Sequence, residues 1–401
     1  MAQAMRVLTF NIWFDPMAMR QRMRAIGQLV ERHRPAVIGF QEVTRDSLAI
    51  LKAQQWAKYY DCSVDVALPF SEAYFCVLFS ALPVLGLETM PFAATGMGRE
   101  LVSMRVQVTE GHSLMVGTSH LESLPQFQRA RISQLRESMT VLSESVDAHE
   151  DKSDNCLGAI FMGDTNLFPD DIKFMDPRSS VAAAQGLTVE EAKTGRSKCR
   201  ACSEHIAKSA VRVGKNTKDK LPNGRVVEII HWYHKQCFLD EKTTTSSEKE
   251  AVDNFGSQAQ QSEGEEERDR STIGLPPHWR DLWLTVAENT ETNGYTYDGQ
   301  RNGVIKNKSH RSRFDRMYWY PGPKARVTAT SPLQRIELIG TEPITDGLWP
   351  SDHFGLLSTF SFDPFISGEK ATQEVVGGSR DAPIEIDGDE DTQSKKRRVA
   401  E

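Results

Sequence analysis

Apolar and polar positions follow two different periods along most of the chain. Short β-type runs, such as "RVLTFNIWF" from residue 6 and "AIFMGDTN" from residue 159, are interleaved with helical stretches such as "MRQRMRAIGQLVERHR" from residue 19. The pattern stops near residue 175 and resumes with "WRDLWLTV", "RFDRMYWYPG" and "DHFGLLSTFSF". Neither half has enough strands to cover its apolar faces, so the pattern predicts one α/β domain interrupted by an insertion.

The insertion and the end of the chain differ in composition from this pattern. Residues 190–240 hold a Cys/His cluster in a basic context, residues 241–271 are rich in Glu, Ser, Thr and Gln, and residues 365–401 are polar. Residues 241–271 and 365–401 have few apolar residues, so neither segment can bury enough surface to fold. We therefore predict a discontinuous α/β domain of residues 1–189 and 272–364, an inserted small module, a disordered linker and a disordered tail.

Composition narrows the classes of protein to be considered. The chain is 39% hydrophobic, below the share typical of a wholly globular protein. No window approaches the ~20 continuous apolar residues of a membrane span, so no membrane partner is expected. The net charge is −7. Any binding to nucleic acid must therefore depend on a local basic patch.

Polar side chains of the types used in catalysis end or follow five β-rich stretches. They lie in "TFNIWF", "GFQEV", "GTSHLES", "GDTN" and "WPSDHFG", and are Asn11, Glu42, His120, Asp164, Asn166, Asp352 and His353. A lone Asp-His pair is more often a satisfied hydrogen bond, and a lone strand-end Glu is usually solvated. Five such stretches in one domain are hard to reach by chance and indicate a shared site.

These residue types suit the hydrolysis of a phosphodiester. A carboxylate such as Glu42 is a hard oxygen ligand for Mg²⁺, which commonly needs only one or two protein carboxylates. Asp164 can hold or deprotonate a water that the two asparagines orient. The two histidines can stabilise charge on the phosphoryl oxygens.

In these motifs the chain resembles the endonuclease/exonuclease/phosphatase superfamily. Within it, the chain is similar to the 5′-tyrosyl-DNA phosphodiesterases, Mg²⁺ enzymes that clear trapped topoisomerase II tyrosine from DNA 5′ ends. The strings "TSHLES", "GDTNL", "RFDRM" and "PSDHFGLL" are closer to this branch than to abasic-site nucleases or sphingomyelinases. The resemblance covers residues 5 to about 175 and 275 to 362. It implies a four-layered α/β sandwich with two central sheets flanked by helices.

The resemblance also implies roles for individual residues. Glu42 is expected to bind Mg²⁺ (or Mn²⁺), Asp164 and Asn166 to position water, and His353, oriented by Asp352, to stabilise the transition state. Further matches are Asn11, His120 and Ser123 in the active site, Asp315 on the strand before the last, and Tyr74, Arg99 and Tyr297 where relatives hold the DNA 5′ end. For the last three, a half-buried core tyrosine, a solvated arginine and a turn tyrosine are equally good interpretations.

Two positions depart from the family pattern. The first motif reads Asn-Ile-Trp where many relatives have Asn-x-Asp, so a second carboxylate near the metal is missing there. Phe168 follows "GDTNL" where a basic residue is common. The first departure affects the expected metal ligation, and the second affects the expected positioning of DNA.

The insertion carries a zinc-site pattern. "CRAC" supplies Cys199 and Cys202, and "HWYHKQC" supplies His234 and Cys237 with the same gap. Three Cys and one His close a tetrahedral Zn²⁺ site without an open position, so the site is predicted to be structural. His231 is the competing ligand, but the spacing of His234 to Cys237 mirrors the first pair.

The inserted module resembles the zinc finger of poly(ADP-ribose) polymerases, which recognises DNA breaks. Residues 196–225 hold nine Lys or Arg against two acids, a local net charge of +7. Such a surface suits phosphate binding in an otherwise acidic protein. Arg212 matches a DNA-contacting arginine of that family.

The tail carries two short signals. "SKKRRV" at residues 394–399 is a basic cluster of the type read as a nuclear import signal, although such clusters are sometimes only solubilising. Ile384 to Asp391 places alternate isoleucines before an acidic run, as in SUMO-binding motifs that add a strand to a partner's sheet.

Together the motifs predict a nuclear, Mg²⁺-dependent 5′-tyrosyl-DNA phosphodiesterase whose finger finds the damaged end. The implied partners are DNA with breaks or blocked 5′ ends and topoisomerase II–DNA adducts. Two alternatives are a DNA end-processing or abasic-site nuclease of the same superfamily, and a non-catalytic DNA-break binding protein. The "TSHLES" and "PSDHFGLL" strings argue against the first, and the intact catalytic-type set argues against the second.

Overall fold

A computed structural model describes most of the α/β domain and of the insertion. The described residues are 4–64, 73–148, 155–175, 187–192, 194–220, 226–245, 248–249, 252, 269–328 and 331–366. The predicted import signal, the predicted SUMO-binding segment and most of the predicted linker lie outside these residues.

Two six-stranded sheets form the centre of the α/β domain, with strands numbered along the chain. Across the first sheet the order is β16 (Leu333–Ile339), β17 (Gly355–Phe360), β1 (Met5–Asn11), β2 (Val37–Val43), β4 (Phe75–Ser80) and β3 (Asp61–Cys62). Across the second it is β12 (Arg280–Asp281), β15 (Asp315–Pro321), β8 (Asn155–Asp164), β7 (His112–His120), β6 (Glu100–Thr109) and β5 (Val84–Pro91). A small ribbon pairs β13 (Tyr297–Asp298) with β14 (Arg311–Ser312).

Helices cover the outer faces of the sheets and the ends of the strands. They are α1 (Met19–His33), α2 (Arg45–Lys52), α3 (Gln128–Asp147), α4 (Pro169–Met175), α5 (Lys235–Leu239), α6 (Pro323–Thr328) and α7 (Asp363–Ile366). Three short 3₁₀ segments span Trp56–Tyr59, Pro125–Phe127 and Arg270–Thr272. Within the described ranges, no helix combines the length and the apolar character needed to cross a bilayer.

Three buried clusters divide the α/β domain into layers. One lies between the sheets and joins side chains such as Val7 and Leu78 of the first sheet to Ile160 of the second. A second packs α1 and α2 on the outer face of the first sheet, and a third packs α3 on the second sheet. The predicted four-layered α/β sandwich is therefore confirmed.

The strand directions bring the motif residues to one end of the sandwich. β1 runs parallel to β2, and β7 runs parallel to β8; the contact of Asn11 at the end of β1 with Asp164 at the end of β8 shows that all four strands end at the same side. β15 is antiparallel to β8 and starts there, which places Asp315 directly opposite Asp164. His120 is opposite Asp164 on the other side, so three polar residues form a row across the second sheet.

Gly163 allows this row to form. Its φ of 149° is a conformation that side-chain-bearing residues rarely adopt, and an added Cβ would lie 2.0 Å from the carbonyl oxygen of Ser119 on β7. The absence of a side chain at Gly163 thus lets β8 approach β7 closely, just before Asp164.

The insertion builds its own three-stranded sheet, in the order β11 (Val226–His234), β10 (Val211–Lys220) and β9 (Leu187–Glu191). Leu187, Val213 and Phe238 are buried together, and Val252 is fully buried in the same cluster. The predicted linker boundary at residue 241 therefore falls inside a packed unit, because Val252 supplies apolar surface that the composition of the segment as a whole concealed.

Candidate active site and zinc centre

Asn11 links the two sheets at the site. Its Nδ2 donates to Glu42 Oε1 at 3.1 Å and to Asp164 Oδ2 at 2.9 Å. Its Oδ1 accepts the backbone N–H of Trp13 at 3.0 Å, and the whole side chain is buried. The amide therefore fixes the separation of two carboxylates that come from different sheets.

Glu42 sits in a backbone conformation that is unusual for its residue type. Its φ is 57°, at a register break in the pairing of β2 with β4. Such strain persists only where the surroundings hold it, and it often marks a functional residue. Its Oε2 accepts the backbone N–H of Phe14 at 3.1 Å. Burial raises the pKa of Glu42, against the opposing charge of His353 and the hydrogen bond from Asn11.

Asp352 is a second carboxylate close enough to Glu42 for their charges to repel. Burial, supplemented by the Glu42 charge and opposed by His353, raises the pKa of Asp352 to about 6. Glu42 and Asp352 are both partly buried and both have raised pKa values, so a nearby cation would stabilise their two negative charges. The ligand atoms of Glu42, His120 and Asp164 lie within 4.8 Å of one another, and carboxylate oxygens are donors that Mg²⁺ or Mn²⁺ prefers, so this end of the sandwich fits a divalent metal.

The group that orients His353 is Asp315, which corrects the expectation that Asp352 would do so. His353 Nδ1 lies 2.7 Å from Asp315 Oδ2, whereas no hydrogen bond between Asp352 and His353 exists among the described contacts. Asp315 is fully buried on β15, two strands before the last rather than one. Strand register decides this, because it sets Asp315 beside the imidazole, while Asp352 Oδ1 lies 3.3 Å from Ser351 Oγ.

The surroundings of His353 favour its charged form. Burial alone would lower its pKa, but the charge of Asp315 and its hydrogen bond, together with Asp164 and Asp352, raise the pKa of His353 well above its usual range. Its Nε2 lies 3.9 Å from Asp164 Oδ2. In its protonated form the ring faces the acids, with its second N–H available to an anionic group.

Asp164 has the protonation behaviour of a general base. Burial and the neighbouring Asp315 charge raise the pKa of Asp164 to about 6, while His353 and the hydrogen bonds from Asn11 and Asn166 oppose the rise. Asn166 adopts φ 50° and donates its backbone N–H to Asp164 Oδ1 at 2.9 Å. A base with a pKa slightly below neutrality is ionised at pH 7 and still accepts a proton.

The surroundings of His120 favour its neutral form, unlike those of His353. Burial, followed by the charges of Arg99 and His353, holds the pKa of His120 well below its usual range. Arg99 Nη1 lies 3.2 Å from His120 Nδ1, and a guanidinium can only donate. The ring N–H is therefore on Nε2, which lies 3.5 Å from Asp164 Oδ2.

The substrate-facing candidates surround this cluster. Arg99 is buried and donates to the Tyr74 hydroxyl at 3.3 Å, so it is not a solvated arginine. Ser123 Oγ lies 3.3 Å from the sulfur of Met97, next to Arg99. The Tyr297 ring stands 5.1 Å from the His353 ring, centroid to centroid. The structure thus brings all the candidates of the α/β domain to one end of the sandwich.

The zinc-site residues also converge. The ligand atoms of Cys199, Cys202, His234 and Cys237 lie within 4.8 Å of one another. His234 Nδ1 is 3.4 Å from Cys202 Sγ, while the Nδ1 of His231 faces Thr217 at 3.4 Å. His234 Nε2 lies 3.3 Å from the carbonyl oxygen of His205, the outer contact that metal-binding histidines commonly make.

Neighbouring thiols in this cluster have opposite pKa shifts. Burial disfavours the Cys199 thiolate, but backbone N–H groups, those of Cys202 and His234 first, lower the pKa of Cys199 to about 6. Burial and the adjacent Cys202 and Cys199 raise the pKa of Cys237 to about 12. Three thiols this close cannot all ionise without a cation, so the donor set fits Zn²⁺.

Arg212 does not face solvent, which corrects the expectation of a direct DNA contact. Its guanidinium pairs with the Glu190 carboxylate, donates to Ser197 Oγ at 2.5 Å and stacks 3.7 Å from the centre of the Trp232 ring. The strand pairing of β10 with β9 puts the acid within reach. The exposed basic side chains of the described finger are others, among them Arg196, Lys198, Arg200 and Lys208.

Comparisons with known proteins support the predicted resemblances of both the inserted finger and the α/β domain. Residues 190–271 match the family model of the poly(ADP-ribose) polymerase and DNA-ligase zinc-finger region. Tyrosyl-DNA phosphodiesterase 2 of Xenopus laevis is 30% identical over 164 residues, and that of Homo sapiens is 30% identical over 165 residues, in each case 40% of this chain. The matched part spans about 40% of the length of these curated relatives.

Solved structures extend the likeness to the whole α/β domain. D. rerio tyrosyl-DNA phosphodiesterase 2 complexed with single-strand DNA product matches with a TM-score of 0.54 and 20% identity, covering 90% of this chain and 99% of that one. The truncated C. elegans protein gives 0.54 and 17%, covering 89% and 97%. The chain has the tyrosyl-DNA phosphodiesterase 2 fold. The predicted resemblance to this branch, with an inserted poly(ADP-ribose) polymerase-type finger, is confirmed.

The two departures have structural consequences within the tyrosyl-DNA phosphodiesterase 2 fold. Trp13, at the first of these positions, lies under the guanidinium of Arg22, which stands 4.6 Å from the centre of the Trp13 ring. Phe168 packs edge-on against Phe314 at 5.3 Å, with Arg131 over its ring at 5.1 Å. Both positions therefore hold an aromatic ring that packs against neighbouring side chains.

The sequence patterns did not identify Arg22, which binds the backbone of the segment between β1 and α1 next to the site. It is fully buried on α1 and donates to the carbonyl oxygens of Ile12, Trp13 and Met17 at 2.9, 3.1 and 2.8 Å, and to that of Asp15. Four carbonyl groups on one guanidinium fix the path of the chain after β1. The available signal was an arginine on the apolar face of α1, next to Met23 and Ile26.

Proposed function

We propose that this protein is a divalent-metal-dependent phosphodiesterase that hydrolyses 5′-phosphotyrosyl bonds at DNA ends. The observation that carries the proposal is the junction of Glu42, Asn11 and Asp164, with the Nε2 atoms of His120 and His353 at 3.5 and 3.9 Å from the Asp164 carboxylate. The matched relatives are tyrosyl-DNA phosphodiesterases, which supports tyrosyl-DNA as the substrate class, and the choice of the 5′ end rests on the motif resemblance. Release of topoisomerase II trapped on DNA follows from that substrate class and is part of the proposal.

The reaction exchanges one phosphorus–oxygen bond for another. A water oxygen bonds to phosphorus while the bond from phosphorus to the tyrosyl oxygen breaks on the opposite side. Asp164 takes the proton of the water, and Asn166 and Asn11 hold the carboxylate in place. The tyrosyl oxygen leaves as a phenolate, which is protonated from solvent because the pKa of tyrosine is about 10. His353 donates to a phosphoryl oxygen whose negative charge grows in the transition state.

Glu42 and Asp352 would hold the metal ion. When bound, Mg²⁺ or Mn²⁺ polarises the phosphoryl group and stabilises the charge of the departing oxygen. Asp352 would supply the second carboxylate that the first motif lacks, from the segment just before β17 rather than from the end of β1.

The finger would bring the active site to broken DNA. Its exposed basic side chains suit phosphate contacts, and Zn²⁺ would hold the small module together. We also propose that residues 394–399 direct the protein to the nucleus and that Ile384 to Asp391 bind SUMO, both of which rest on sequence patterns alone.

The test compares oligonucleotides carrying a 5′-phosphotyrosyl, a 3′-phosphotyrosyl or an abasic group, each with Mg²⁺. We expect turnover of the first, and faster cleavage of either of the others would refute the proposal. Asp164→Asn should reduce turnover by about 10²- to 10⁴-fold, the usual contribution of a positioned general base, while DNA affinity stays the same. A parallel loss of affinity would mean that Asp164 serves the metal or the fold instead.

A further inference from the structure

An exposed aromatic side chain stands at the mouth of the active site. Phe14 is 46% exposed, whereas the acids and histidines beside it are mostly buried. Its ring stacks on that of Tyr74, with centroids 5.1 Å apart and planes 14° from parallel. The pair therefore presents an aromatic surface next to polar groups that act on phosphate.

The Tyr74 ring has little free surface of its own. The guanidinium of Arg99 lies over it, 5.2 Å from its centre, and Phe14 stacks on it. A ring that enters the site would therefore meet Phe14 rather than Tyr74. The family resemblance gave no role to Phe14, which directly follows the Asn-Ile-Trp motif that differs from the family pattern.

The backbone around Phe14 is held in place. Its N–H donates to Glu42 Oε2 at 3.1 Å, and Arg22 binds carbonyl oxygens on both sides of it, those of Trp13 and Asp15 among them. A pre-positioned aromatic surface loses little freedom when a ligand stacks on it, so more of the stacking energy appears as affinity.

The position of Phe14 indicates which part of a substrate it meets. Asn11 Nδ2 stands between Glu42 and Asp164, so the two carboxylates lie to either side of it. In an in-line displacement the water and the leaving group are on opposite sides of phosphorus. If Asp164 holds the water, the departing oxygen is expected on the side of Glu42. Phe14 lies on that side, because its backbone N–H donates to Glu42 Oε2.

We propose that Phe14 is a specificity residue that stacks on the aromatic ring of the leaving group, so that the enzyme favours aryl over alkyl phosphodiesters. This inference rests on the proposed 5′-phosphotyrosyl hydrolysis and adds a residue that selects the leaving group. An aromatic pair of this kind changes kcat/KM by about 3- to 10-fold.

The experiment measures a selectivity ratio. The kcat/KM of one single-stranded oligonucleotide is determined with a 5′-phosphotyrosyl group and with a 5′-phosphate trifluoroethyl ester, an activated alkyl leaving group. Phe14→Leu keeps an apolar side chain and the backbone N–H but removes the ring, and we expect it to lower the aryl-to-alkyl ratio by about 3- to 10-fold. Phe14→Tyr should retain the ratio, as should Tyr59→Leu, which removes an aromatic ring that is 78% exposed on the Trp56–Tyr59 segment.

Four results would overturn the inference. An equal loss on both esters in Phe14→Leu would make Phe14 a support for Glu42. A change that disappears when the first nucleotide is abasic would mean that Phe14 stacks on the base. If the wild-type enzyme cleaved neither ester, the proposed function would fail and the role of Phe14 with it, whereas cleavage of both esters with an unchanged ratio in Phe14→Leu would refute the role of Phe14 alone.

Discussion

Replacing Asp315 by Asn removes the buried charge that faces His353. The two groups are 2.7 Å apart, and both are buried. A buried hydrogen bond to a charged partner contributes about 1.5–3 kcal/mol. If the imidazolium stabilises the transition state, Asp315→Asn should lower kcat/KM at neutral pH by about 10- to 10²-fold.

The same substitution should move the pH profile of kcat/KM toward acid on both sides. Without the Asp315 charge, burial lowers the pKa of His353, so the imidazolium is lost at lower pH and the alkaline limb moves down. The Asp315 charge also contributes to the pKa of about 6 at Asp164. Its removal lets Asp164 ionise at lower pH, so the acid limb moves in the same direction.

The assay follows cleavage of a 5′-phosphotyrosyl oligonucleotide from about pH 5 to about pH 9, the range in which histidine and a raised aspartate titrate. Asp352→Asn is the matched control, and it should raise the Mg²⁺ concentration needed for activity while moving the alkaline limb less. Thermal unfolding of both variants checks that the fold is retained. A loss of activity in Asp315→Asn without any shift of the limbs would refute the proposed role of the pair, and a larger shift in Asp352→Asn would reassign it.

Three further predictions test other parts of the structure. Glu42→Ala should raise the Mg²⁺ concentration that gives half-maximal turnover, and an unchanged requirement would remove Glu42 from the metal site. Cys199→Ser should release Zn²⁺ and weaken binding to nicked duplexes while a short single-stranded substrate is cleaved at nearly the original rate; loss of both activities would show that the finger is part of the active site. Gly163→Ala should destabilise the protein by about 2–4 kcal/mol, because the new Cβ meets the Ser119 carbonyl oxygen and the backbone conformation is strained. Gly86→Ala, which has open space around it, is the control in the same thermal-unfolding measurement, and equal effects would contradict the account of the close approach of β8 to β7.

The sequence by itself determined which residues could take part in catalysis and zinc binding. Strand-end polar groups such as Asn11 and Asp164 are visible as breaks in an apolar run, because a buried strand admits them only where the core stops. The two Cys-x-x-Cys and His-x-x-Cys pairs are visible because metal ligation needs a short, fixed spacing. The interruption of the α/β pattern likewise located the insertion without any structural information.

Only the tertiary structure decided how these residues pair. Asn11 and Asp164 are 153 residues apart and Asp315 and His353 are 38 apart, so their contacts depend on the register of strands that no local pattern specifies. Strand register also explains why Asp315 rather than Asp352 contacts His353, and why Arg212 lies against Glu190. In the sequence Phe14 is an ordinary apolar residue. Its stacking on Tyr74 and its exposure depend on how the strand ends assemble, so only the tertiary structure shows them.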